Sequence, residues 1–188
     1  MRVVMHGCMG VGKSYVGRVL AEKLNCTFHH EPFELNPYIE RTYVDAKWSI
    51  YAQIQQLLLC EQQSQEVGVL DGSIWGVRAF SRVYLQDDED MQLFDNIYRR
   101  VSKAIPPPDI LVYLKCPTSF IVERINSRGR AMETNVTPSF IGALNQQMSK
   151  TYAHYQGRKI ALDYSRFSQL TEVVDTVVEQ LYRKQQTV

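Results

Sequence analysis

Gly7, Gly12, Lys13 and Ser14 fall at the spacing G-x-x-x-x-G-K-[ST] within the stretch GCMGVGKS. A β-like RVVMH precedes the stretch and a helix-like SYVGRVLAEKL follows, the strand, loop and helix context that this spacing requires. Glycines let backbone amides turn inward around phosphate oxygens, and the start of the helix adds partial positive charge. Lys13 reaches the terminal phosphates and Ser14 can ligate magnesium. The stretch from Gly7 through Gly10, Val11 and Gly12 to Tyr15 is therefore expected to hold a nucleoside triphosphate.

Two carboxylates follow at the ends of later apolar runs. Glu31 closes the second run, with Pro32 directing the exit, and so should face the same crevice as the glycine-rich loop. A carboxylate there can accept the proton of an attacking hydroxyl, as phosphoryl transfer requires. Asp71 closes the third run. Arg124 and Arg128 stand four apart on one helical face, and Arg130 follows just beyond Gly129. Three guanidinium groups can then meet the charge that builds on transferring phosphate, and the glycine suggests a hinged lid over about residues 124–135.

These side chains need a scaffold that brings the ends of several strands together. Apolar runs of strand length alternate with longer stretches of helical period, the signature of a parallel sheet in an α/β fold. Strands are expected at Arg2–His6, Thr27–His29, Val67–Asp71, Ile110–Leu114 and Lys159–Asp163. Helices are expected at Lys13–Leu24, Tyr38–Gln63, Asp88–Ala104, Ser119–Ser127, Pro138–Tyr155 and Leu170–Arg183. Thr137 followed by Pro138 reads as a cap and first-turn proline, and Pro106 to Pro108 stop one helix and lead into a strand. If Tyr38–Gln63 is one helix, Tyr43, Ile50, Gln53 and Leu57 share a broad face of it. A buried amide such as Gln53 needs partners, and a nucleobase edge offers both donor and acceptor. Trp48 and Phe80 are candidates to stack on a base.

With 188 residues, 45% of them hydrophobic and 22% charged, the composition matches ordinary globular usage, which argues for one well-buried domain over residues 1–188 and against disorder. A net charge of +1 with dispersed basic residues argues against binding to nucleic acid polymers or anionic membranes. Four scattered cysteines show neither metal-ligand spacing nor a disulfide framework, and the N-terminal apolar run is too short for a signal peptide or a membrane span. A cytoplasmic location is expected. No N-K-x-D tetrapeptide is present, which argues against a GTPase.

Nearly the whole chain resembles the deoxynucleoside kinases of the deoxycytidine, deoxyguanosine and deoxyadenosine kinase type. The resemblance is carried by the glycine-rich loop, EPFELNPY, Tyr43-x-Asp45 followed by Trp48, Gln53, DGSIWGVRAF, PPPDILVYLKCPTSFIVERINSRGRAME and KIALDYSRF. It implies a P-loop kinase fold with a five-stranded parallel sheet, an arginine-rich lid, ATP and Mg2+ as cofactors, and a role in nucleotide salvage. It makes Glu31 the base on the nucleoside 5′-hydroxyl, with Lys13, Arg128 and Arg130 acting on the phosphate and Ser14 and Asp71 on the metal. Tyr43 and Glu133 would bind the 3′-hydroxyl and Gln53 the base edge. Relatives are commonly homodimers, and the long segment Tyr38–Gln63 and the helix after Asp88 are the candidate faces.

The chain also departs from the pattern. Where relatives carry an acidic residue followed by Arg and Ser, this sequence has Asp71, Gly72 and Ser73. The absent arginine would sit near the 5′-hydroxyl and phosphate, and Arg78 or Arg82 is the candidate replacement. Two positions that read the base in relatives match the uncharged Cys60 and Val77, and the Tyr43 to Trp48 spacing is one residue short, so no nucleobase is assigned. Two alternatives stand beside the kinase reading: a thymidylate-kinase-like nucleotide kinase, and a nucleotide-binding relative weakened at Gly72.

Overall fold

The structure is a computed structural model that describes residues 1–42, 44–129 and 136–183. Five strands, β1 (Arg2–His6), β2 (Phe28–His29), β3 (Gly68–Asp71), β4 (Ile110–Lys115) and β5 (Lys159–Asp163), form one sheet in the order β2-β3-β1-β4-β5. Every pairing is parallel. The central strands are near-continuous apolar runs because helices cover both faces of the sheet. Alternation still sorts the faces: Val3, Met5, Val69 and Val112 join one core cluster, and Val4, Leu70 and Leu111 join another.

The helices are α1 (Lys13–Lys23), α2 (Ile39–Thr42), α3 (Ser49–Gln63), α4 (Ile74–Tyr84), α5 (Asp88–Val101), α6 (Thr118–Arg128), α7 (Pro138–His154) and α8 (Leu170–Tyr182). Leu20, Ile121, Leu144 and Val177 bring α1, α6, α7 and α8 into the larger core. Ile50, Leu57, Ile74, Val77 and Phe94 weld α3, α4 and α5 into a second one. Burying a side chain such as Leu57 contributes roughly 2 kcal/mol.

All five expected strands are present, while the helix expected over Tyr38–Gln63 is broken. Asp45 takes an extended conformation and its side chain accepts the Lys47 amide, starting a short 3-10 turn at Ala46–Trp48 before α3 begins at Ser49. An aspartate that bonds nearby backbone competes with helix continuation, which the apolar periodicity alone does not show. Tyr43, expected on that helix, lies outside the described residues. The sequence bounds also pass over α4, a full helix started by Ser73, whose Oγ accepts the Gly76 amide at 2.9 Å.

Behind the sheet centre, buried His6 joins three elements. Its Nε2 donates to Met148 O at 3.0 Å, so Nδ1 must accept, and Ser73 Oγ, at 3.3 Å, is its donor. Burial holds this imidazole neutral, with its pKa lowered to about 4. β1, the start of α4 and the middle of α7 are thereby fixed together directly behind the loop.

Candidate active site

The parallel strands deliver three loops to one edge. β1 leads into residues 7–12, β2 into Glu31 and β3 into Asp71, and a cleft of about 900 Å³ opens where they meet. Gly10, Gly12, Lys13, Ser14 and Tyr15 line it from the glycine-rich loop and α1. Glu31, Gln53, Gln56, Asp71, Val77 and Phe80 line it too, with Arg124 and Arg128 from α6.

Gly12 starts α1 in the left-handed conformation, φ 105°, with the Tyr164 ring against it; a Cβ there would lie 2.8 Å from Tyr164 Cε1. Only glycine satisfies both demands. Lys13 Nζ donates to Gly7 O at 3.0 Å and Cys8 O at 3.2 Å, which sets its ammonium in the concave side of the loop. Gly7 and Val11 support the loop rather than wall the cleft. Val11 is wholly buried, its amide donates to Cys8 O and its carbonyl accepts from Arg124.

Arg124 lines the cleft and is also anchored to backbone. Its Nη1 donates to Val11 O at 2.8 Å and Tyr164 O at 3.1 Å, and its guanidinium lies over the Phe167 ring at 4.8 Å. The side chain therefore ties α6 to the glycine-rich loop and to the turn after β5. Arg128, one turn later, lines the cleft. α6 ends at Gly129, which takes φ 62°. Arg130 and Glu133 lie outside the described residues, as does Tyr43.

Glu31 lines the same cleft, and burial raises its pKa to about 7. Asp71 pushes in the same direction, and Lys13 and the Gln56 hydrogen bond oppose it. Asp71 is 3% exposed, and its Oδ1 has no hydrogen-bond partner. Gln53 lines the cleft from α3 as expected, as do Val77 and Phe80 from α4. Gln56, which the sequence reading passed over, is buried and donates through Nε2 to Glu31 Oε1 at 3.3 Å. Its signal was available: it lies one helical turn beyond Gln53 on the same side of α3.

Two sequence expectations fail for geometric reasons. Arg78 points away from the cleft, pairing with Asp95 at 3.6 Å and lying over the Tyr98 ring at 4.8 Å, and Arg82 reaches the same Asp95 at 2.5 Å. Neither replaces an arginine at residue 72, because α4 turns both toward α5. Trp48 is likewise outside the cleft, stacked on Tyr38 with ring centroids 5.9 Å apart and covered by Arg41.

The family model for deoxynucleoside kinase matches residues 3–185. The chain belongs to the deoxynucleoside kinase family. Among the similar proteins, the deoxyadenosine/deoxycytidine kinase of Bacillus subtilis is 31% identical over 152 residues, covering 73% of this chain and 70% of its own length. The deoxyguanosine kinase of the same organism is 24% identical over 155 residues, covering 76% and 73% respectively. A deoxyadenosine kinase from M. mycoides with bound dCTP superposes with a TM-score of 0.86 at 24% identity, over 96% of this chain and all of that one (100%). The protein is thus a kinase that phosphorylates the 5′-hydroxyl of a deoxynucleoside, and the nucleotide-kinase and non-catalytic alternatives give way to that reading.

Proposed function

We propose that Glu31 is the general base of this transfer and that ATP, held by the glycine-rich loop, is the donor. The observation that carries the reading is that Glu31, beyond β2, and Lys13, at the start of α1, line one cleft, near enough for the Lys13 charge to act on the Glu31 carboxyl. The nucleoside 5′-oxygen gives its proton to Glu31 and forms a bond to the γ-phosphorus, while the bond from that phosphorus to the bridging oxygen breaks and ADP leaves. Lys13 and Arg128 offset the charge on the phosphoryl oxygens. Gln53 reads the base edge, with Val77 and Phe80 as apolar walls.

The residues present fit a magnesium ion: the buried Oδ1 of Asp71 lacks a partner, and the Ser14 hydroxyl lines the same cleft. Bound there, magnesium would neutralise phosphate charge. Tyr43 and Glu133 remain candidates for the sugar 3′-hydroxyl, Arg130 for the phosphate, and the segment after Arg124 for a lid that closes on ATP. The four free thiols, Cys8, Cys26, Cys60 and Cys116, support a cytoplasmic location. Among the described residues, no helix is long and apolar enough to cross a membrane. A homodimer joined through α3 and α5 is supported by their exposed Leu58 and Leu93.

The reading is tested by following ADP release from ATP and magnesium against the four deoxynucleosides and the four deoxynucleoside monophosphates. Turnover with at least one nucleoside is the expected result. Turnover confined to the monophosphates would overturn it.

A further inference from the structure

Two buried amides stand behind Glu31. Asn36 and Gln56 are 5% and 7% exposed, and neither carries charge. Asn36 Nδ2 donates to Ala52 O at 2.9 Å, and because a carbonyl only accepts, this fixes which end of the Asn36 amide is nitrogen. Its Oδ1 accepts the Tyr38 amide at 3.2 Å, in agreement. The same Nδ2 donates to Gln56 Oε1 at 3.2 Å, so Gln56 must present its own nitrogen on the far side. That nitrogen meets Glu31 Oε1 at 3.3 Å. The direction of the whole chain of bonds is set by backbone and ends on the carboxylate as a donor.

On its other side Glu31 lies against bare backbone. Gly72 has φ 132°, and a Cβ there would fall 2.9 Å from Glu31 Cγ and 3.1 Å from Cδ. The glutamate occupies space that any side chain at residue 72 would claim.

We infer that Gln56, oriented by Asn36, is a positioning residue that holds one oxygen of Glu31 while Gly72 shelves its stem, leaving Oε2 to take the substrate proton. This rests on Glu31 being the base. A neutral amide here holds the carboxylate oxygen without adding a positive charge that would lower the Glu31 pKa.

The test uses the full chain with ATP, magnesium and whichever deoxynucleoside turns over fastest. Gln56→Met keeps the volume and removes the donor, and kcat should fall about tenfold or more while KM for ATP stays within about twofold. Asn36→Asp puts an acceptor against Gln56 Oε1, which turns the amide around, so kcat should fall similarly with Gln56 intact. The double variant should fall no further than Gln56→Met alone. Thermal melts establish that each variant is folded. The inference is overturned if Gln56→Met keeps kcat within about twofold, if its KM for ATP rises in step with the loss in kcat, or if the two losses add. A fully active Glu31→Gln would instead sink the base reading itself, whereas an inactive Glu31→Gln beside an active Gln56→Met sinks this inference alone.

Discussion

Gly72 and Glu31 are in direct contact, close enough that a Cβ at residue 72 would stand 2.9 Å from Glu31 Cγ. The absence of an arginine at residue 72 and the placement of Glu31 are thus one structural fact. Gly72→Arg, which restores the residue type common in relatives, should lower kcat by about tenfold or more, because it displaces Glu31 and strains a backbone at φ 132°. Steady-state kinetics with the preferred nucleoside check this. A rise in kcat would mean that the pocket can accept a side chain there.

The scaffold was legible in the sequence because periodicity and turn chemistry are local. β1 and β5 have the expected bounds, and the loop from Gly7 to Ser14 has its expected context. What was not legible was set by partners distant in sequence. Arg78 lies on a helix whose register only Asp95, on α5, makes plain, and Arg124 finds its acceptors on Val11 and Tyr164. Gln56 shares the Gln53 side of α3, which helical spacing shows, but its bond to Glu31 depends on Asn36, twenty residues away in sequence.

Glu31 should make the enzyme sensitive to mild acid. It must be ionised to accept a proton, and burial raises its pKa to about 7. The rate kcat/KM should therefore rise with pH on a limb with its midpoint about 7, falling about tenfold from the plateau by about pH 6. Stability has the opposite sign. Between the ordinary value of 4.5 and about 7 the folded protein holds this proton more firmly than the unfolded chain, so the contribution of Glu31 to stability declines as pH rises through that window. A pH–rate profile with its acidic limb near 4.5 would contradict the placement.

Arg124 should act through the loop and not through the phosphate. Arg124→Ala removes two hydrogen bonds to backbone carbonyls, at 2.8 and 3.1 Å, and a cation resting on Phe167. It should cost about 2 kcal/mol of stability and weaken ATP binding about tenfold. Arg124→Lys should restore little, since an ammonium does not reproduce the planar fork. Denaturant melts and ATP titration calorimetry read the two effects separately.

The central claim is that Glu31 takes the proton of the nucleoside hydroxyl in a site where Lys13 holds the donor. Glu31→Gln keeps the shape and removes the base, and the decisive measurement is its single-turnover rate beside its ATP affinity. The account predicts ATP affinity within about twofold of the unaltered protein and a rate lower by about a thousandfold. A variant that retains more than about a tenth of the rate, with ATP binding intact, would contradict it.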